Sequence, residues 1–159
     1  MSNQPRKLEY LEGEIPCMLL PMRDSILLLP TVTVAEMAPM KPLEKVNGKP
    51  DWVLGNYEWR ETSVPLVSYE RLNGASEHEL NKEGRIAVIN NTGVNHKKLP
   101  FFAIATQSIP RMARIGNKDI QVDERSELEQ YDTMRVMIGV ERLIIPNIQK
   151  IENALAQTL

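Results

Sequence analysis

Few residues of this 159-residue chain have the types and spacing that chemistry demands. His78 and His96 lie in separate polar loops, with no His-x-x-x-His, His-x-Glu or neighbouring cysteine to complete a metal shell. Cys17 is the single cysteine, so a disulfide framework, a structural zinc and a Cys-x-x-Cys redox pair are all unsupported. Ser25, Ser63, Ser68, Ser76, Ser108 and Ser126 fall in no Gly-x-Ser-x-Gly elbow, and the glycines form neither Gly-x-Gly-x-x-Gly nor a Walker loop. Glu124, Glu127 and Glu129 read as a solvated charge run rather than a carboxylate pair. The expectation is a protein that is not an enzyme and holds no metal or cofactor. A small enzyme built on His96 and scattered carboxylates stands as the competing catalytic reading.

Binding has better candidates. Arg60 ends a strand whose opposite face carries Tyr57 and Trp59, so its stem can lie along the wall while its guanidinium reaches a partner carboxylate. The plainer alternative is an ordinary surface arginine beside a turn. Met18, Met22, Met37 and Met40 cluster in the first quarter of the chain, where adaptable side chains serve either a re-packing surface or, more commonly, core filling.

The elements that must position these residues are short strands. Val53 to Arg60 has a period of two: Val53, Gly55, Tyr57 and Trp59 on one face, Leu54, Asn56, Glu58 and Arg60 on the other. This predicts that Val53, Tyr57 and Trp59 point into one barrel. A Glu61-Thr62-Ser63 turn leads to a partner strand, Val64 to Val67, whose Pro65 lacks a donor and so belongs at an edge or a bend. Ile15 to Met22 and Ile26 to Leu29 form a hairpin across Arg23-Asp24-Ser25, while Thr31 to Glu36 suits either a strand or a short helical turn. Ser68 can cap a helix from Tyr69 to Asn73 closed by Gly74, and Asn147 a terminal helix with Ile148, Ile151 and Leu155 along one side. Arg85 to Ile89, Phe101 to Thr106, Met134 to Val140 and Leu143 to Ile145 are further strands, and Met112 to Ile115 is expected to pair with Ile120 to Val122 across Gly116-Asn117-Lys118. So many short strands point to an all-β barrel architecture. A faint repeat matches Val53-Leu54-Gly55 and Val64-Pro65 with Met137-Ile138-Gly139 and Ile145-Pro146.

Charge and composition narrow the partners. Lys and Arg number 19 against 21 Asp and Glu, a formal net charge of −2, which argues against nucleic acid as a partner because phosphate binding needs clustered cations. No apolar run approaches the ~20 residues of a membrane span, so direct membrane insertion is not expected. Residues 1–14 read as a flexible polar extension, and a cytoplasmic location is the simplest expectation.

The run Val34-Ala35-Glu36-Met37, then Pro50-Asp51-Trp52-Val53-Leu54-Gly55-Asn56-Tyr57-Glu58-Trp59-Arg60, then Val64-Pro65-Leu66-Val67 resembles the core of the CheW-like family of chemotaxis coupling proteins. Phe101 to Thr106 with Ile109 to Ile115, and Gly139 to Leu155, are similar to the family's later strands and closing helix. The resemblance implies two intertwined five-stranded SH3-like β-barrels with short helices, forming one CheW-like domain over residues 15–159. It implies a non-enzymatic adaptor joining the cytoplasmic tip of a methyl-accepting chemoreceptor to the regulatory domain of a CheA-type histidine kinase, recruited to membrane-associated receptor arrays. Glu36, Gly55 and Arg60 match the family's coupling positions and Val34 a neighbour of the same surface; Glu61 and Ser68 depart from its usual Gly and Asp. Those departures, with the run from Ile15 to Pro21, look most like the ChpC type of the chemosensory system that governs type IV pili and twitching motility. A stand-alone SH3-like barrel binding a peptide or small molecule is the alternative.

Overall fold

β-Branched and aromatic residues dominate the segments that pair, and 44% of the chain is strand against 11% helix. The computed structural model describes residues 13–76 and 79–159; His78 and most of the 1–14 extension lie outside the described residues. The strands are β1 (Ile15–Pro21), β2 (Ile26–Pro30), β3 (Val34–Pro39), β4 (Val53–Trp59), β5 (Thr62–Val67), β6 (Arg85–Asn90), β7 (Phe101–Ala105), β8 (Arg111–Ile115), β9 (Ile120–Val122), β10 (Asp132–Ile138) and β11 (Glu141–Pro146). Helices α1 (Tyr69–Leu72) and α2 (Ile148–Ala156) follow β5 and β11. Each is capped as its sequence predicts: the Ser68 hydroxyl accepts the Arg71 N–H at 3.2 Å and the Asn147 side chain accepts the Lys150 N–H at 3.0 Å. The ambiguous Thr31 to Glu36 is both things in turn, a 3-10 turn over Thr31–Thr33 and then β3.

Two curled sheets result, the pair of barrels that the resemblance implies. The first has the order β8-β1-β2-β11-β10-β9 and the second β3-β6-β7-β5-β4. The chain leaves the first barrel after β2, builds the whole second barrel, and returns to finish the first. The first sheet holds six strands rather than the expected five, and β8 and β9, expected to pair with each other, do not: β8 pairs with β1 and β9 with β10, on opposite edges. Their short link still governs the shape. From Ile115 to Ile120 an extended chain reaches about 18 Å at most, whereas a flat six-stranded sheet would separate its outer strands by about 24 Å. The sheet must curl.

The second sheet closes differently. Beyond β3, Glu44 exchanges both backbone hydrogen bonds with Asn56 of the opposite edge strand, at 2.9 and 2.8 Å. Gly55 makes this approach possible: it sits at φ +151°, and a Cβ there would stand 2.7 Å from the Glu44 carbonyl oxygen.

Three apolar clusters hold the molecule. Tyr57, Trp59, Leu66, Ile86 and Val88 fill the second barrel; Leu19, Leu28, Val136 and Leu143 fill the first. The third joins the barrels through Leu20, Leu27, Ile89, Phe102, Ile104 and the α2 residues Ile151 and Leu155. Val53 belongs to this junction, not to the barrel interior that its spacing predicts. Val53 pairs with Val67 but Gly55 with Leu66, so a bulge at Leu54 turns Val53 to the other face while Tyr57 and Trp59 keep the expected one. The methionines fill core: Met22 is buried, Met18 and Met37 pack on the junction, and Met40 on the second barrel.

Candidate functional site

The hairpin between β4 and β5 is as tight as a hairpin can be. Trp59 pairs with Thr62, which leaves Arg60 and Glu61 as the two turn residues, one position earlier than the polar triplet predicts. Both take positive φ, 47° and 63°, the geometry of a type I′ turn that matches the right-handed twist of the strands. Asn-Gly is the usual filling; a side chain there costs about 1–2 kcal/mol per residue.

A second bulge brings a carboxylate to this turn. In β3, Val34 pairs with Ile89 and Glu36 with Val88, so the extra residue Ala35 puts Val34 and Glu36 on opposite faces. Glu36 thereby faces the mouth of the second barrel, where its Oε1 accepts from Arg60 Nη2 at 2.6 Å and its Oε2 from Trp59 Nε1 at 3.2 Å. The Arg60 guanidinium also lies over the Trp59 ring, 4.9 Å from its centroid. That ring is buried and meets Phe101 edge to face with centroids 4.8 Å apart. Arg60 and Trp59, in that order, hold the Glu36 carboxyl below the usual carboxylate range. Behind them, burial first and the Glu36 charge second push the Tyr57 phenol up, and its hydroxyl donates to the Pro39 carbonyl at 2.7 Å. Lys41 stands over the Tyr57 ring at 4.5 Å and donates to the Glu58 carbonyl.

Arg60 is therefore not a free cation waiting for a partner but half of an internal pair. Its side chain is 69% exposed, and a guanidinium has five donors, so the aromatic face and Glu36 fix its plane while further N–H groups face solvent. The structure unites Glu36 with Arg60 and Glu61 at one barrel mouth. It places Val34 on the opposite face, half-buried against the inter-barrel junction, and buries Gly55 at the barrel closure. Spacing alone marked Trp59 as core and missed that its indole N–H reaches the site; a tryptophan directly before the turn arginine was the available signal.

Two other features bear on function. An apolar cavity of about 330 Å³ opens at the first barrel, lined by Ile15, Cys17, Leu28, Ile115, Ile120 and Ile145. Burial raises the Cys17 thiol, which makes it a packing group rather than a nucleophile. His96 lies on an exposed loop with its Nδ1 3.0 Å from the Gly93 carbonyl, and no Asp or Glu side chain lines the cleft beside it. Among the described residues no group of His, Cys, Asp or Glu could hold a metal, and no helix is long and apolar enough to cross a membrane.

The sequence matches the CheW-like domain family over residues 16–154. No curated protein matches the chain. Among solved structures it is similar to the crystal structure of the scaffolding protein TtCheW from Thermoanaerobacter tengcongensis, at 12% identity, with 84% of this chain and 88% of that one covered and a TM-score of 0.69. The chain belongs to the CheW-like domain family.

Proposed function

We propose that this CheW-like protein is a non-enzymatic adaptor coupling a methyl-accepting chemoreceptor's cytoplasmic tip to the regulatory domain of a CheA-type histidine kinase. It works in the cytoplasm at membrane-associated receptor arrays. The observation that carries this reading is the convergence of Glu36 and Arg60. Two family coupling positions 24 residues apart meet in one exposed, aromatic-backed patch. Glu61 extends the patch as an acidic neighbour, Gly55 acts by closing the barrel beneath it, and Val34 contributes from the opposite face, at the inter-barrel junction.

Calorimetric titration against the kinase regulatory domain and the receptor tip, separately, tests the reading. Arg60→Ala should weaken one association by about 1–3 kcal/mol if its donors are desolvated by the partner, and by well under 1 if they stay at the rim. Glu61→Gly should tighten it, because an acidic group beside Arg60 offsets attraction to a partner carboxylate. Equal affinities of all three proteins for both partners remove the patch from the interface. The finer reading is an auxiliary coupler of the type IV pilus system, supported by the Glu61 and Ser68 departures; unchanged twitching in a strain lacking the protein counts against it.

The apolar cavity of the first barrel favours a second reading, a barrel that binds a small apolar ligand or peptide side chain. Ile120→Trp would fill that cavity, and loss of kinase binding in this variant with Arg60→Ala silent would favour the second reading over the first.

A further inference from the structure

The connection between β6 and β7 is long for a hairpin, yet it is built rather than loose. Leu99 is buried in the inter-barrel core, and the Asn91 side chain donates to the Pro100 carbonyl at 2.7 Å. Glu152 of α2 is fully buried and turned toward the connection: its carboxylate accepts the Thr92 N–H at 2.8 Å, the Thr92 hydroxyl at 2.5 Å and the Asn95 amide at 3.3 Å. Asn95 also donates to Asn153 at 2.8 Å. These bonds fix the loop against α2 and leave a cleft of about 840 Å³ between them.

The ionisable side chains that line that cleft are all basic. His96, Lys97 and Lys98 stand on the loop side, and no Asp or Glu lines it, in a chain whose formal net charge is −2. Lys97 and Lys98 are exposed and form no ion pair with any described residue. Apolar surface lies among the cations: Val94 is 62% and Leu159 61% exposed. The α2 wall presents Asn153, Ala156 and Gln157, at i, i+3 and i+4, with a small residue at its centre where another helix can approach closely. No lining residue belongs to a strand, so an extended peptide would find no sheet edge to join.

We propose that this cleft docks an acidic amphipathic helix of a partner protein, its carboxylates on Lys97 and Lys98 and its apolar side chains on Val94, Ala156 and Leu159. The inference does not rest on the coupling reading: the lining of the cleft shares no residue with the Glu36 and Arg60 patch, although Phe101, which packs on Trp59, directly follows the loop. It adds a second contact surface that the family resemblance does not assign. Two lysines fall short of the clusters of 4–8 Lys and Arg that mark recognition of an anionic membrane.

The probe is a fluorescein-labelled helical peptide of about 16 residues, with one Leu stripe and one Glu stripe, read by anisotropy against the full chain. Wild type should bind it, and Lys97→Glu with Lys98→Glu should weaken binding by roughly tenfold or more. Val94→Asp should also weaken it, and raising salt from ~50 to ~300 mM should weaken the wild type several-fold. Arg60→Ala should bind like wild type, which keeps this result separate from the coupling test. Amide shifts on binding should fall on residues 93–98 and 153–157. Because these side chains are exposed, melting temperatures of the variants report that the fold is intact. The proposal is overturned if wild type does not bind, if a Lys-for-Glu peptide binds equally, or if the charge-reversed protein binds unchanged. It is equally overturned if phosphatidylserine vesicles or single-stranded DNA bind more tightly than the peptide through the same lysines.

Discussion

The two barrels repeat one strand plan and finish it in opposite ways. In each, a hairpin (β4–β5 or β10–β11) lies parallel to an inner strand (β7 or β2), which continues antiparallel to β6 or β1 and then to β3 or β8. In each, the hairpin tip forms an ion pair with that last strand: Arg60 with Glu36 of β3, and Glu141 with Arg111 of β8, the charges exchanged. The tips themselves differ. In the first barrel the turn is Gly139-Val140, with Gly139 at φ 61° and Val140 93% exposed. In the second the turn is Arg60-Glu61, neither of them glycine, braced on the Trp59 and Phe101 rings. A turn that tolerates two strained residues is one whose surroundings over-determine it, and such positions gather where a protein binds. The first tip shows what the hairpin needs for folding; the second shows what it carries beyond that.

The comparison breaks most visibly at the aromatic brace. Trp59→Ala should cost about 3–5 kcal/mol in urea denaturation, whereas Val140→Ala at the other tip should stay within about 0.5. If Trp59→Ala were as mild, the brace would not hold the strained turn. Next in size, Gly55→Ala should cost about 2–4 kcal/mol, from backbone strain plus the approach to Glu44. Gly139→Ala meets nothing within 4 Å and should cost about 1. Equal losses would mean that the second barrel closes without needing Gly55.

Glu61→Gly sharpens the contrast in the other direction: relief of a left-handed side chain should stabilise by about 0.5–1 kcal/mol, and a loss would show that Glu61 makes a supporting contact. The smallest effect belongs to Arg60→Ala. With a side chain this exposed, the melting temperature should move by only a few degrees. Glu36 should meanwhile titrate closer to an ordinary glutamate by NMR. Because the folded Glu36 pKa is depressed, the pair's contribution is present above the usual carboxylate range and fades as pH falls through the folded value; Arg60→Ala should reduce that dependence to what the Trp59 hydrogen bond sustains.

Local pattern carried much of this architecture. The alternation from Tyr57 to Arg60, both helix caps and the Arg23-Asp24-Ser25 turn follow from side-chain periodicity and hydrogen-bonding chemistry. What escaped was decided by pairing. Bulges at Ala35 and Leu54 are set by the neighbouring strand's register, so nothing in their own identities announces that Val34 and Glu36 part company or that Val53 changes face. Gly116-Asn117-Lys118 marks a turn truthfully, but turn chemistry is silent about whether the flanking strands join each other or go to separate edges. The repeat is real as a strand plan, yet the matching triplets are not equivalent: Gly55 lies within β4, while Gly139 is at a hairpin tip. At the site, Arg60 and Glu36 could each be singled out by resemblance, whereas their contact required both the bulge and the turn.

The return of the chain to its first barrel sets an order of events during synthesis. The second barrel is one uninterrupted stretch, from β3 to β7, and can complete its pairing as soon as it emerges. The β1–β2 hairpin cannot: Leu27 waits for Ile144, and Met18 for Met112. Until the last third of the chain is made, its apolar Leu19, Leu20, Leu27 and Leu28 have only the completed barrel's flank to rest on. Slow translation after residue 105 would thus prolong a half-assembled state with two open strand edges, the stage at which chaperones and aggregation compete for this protein.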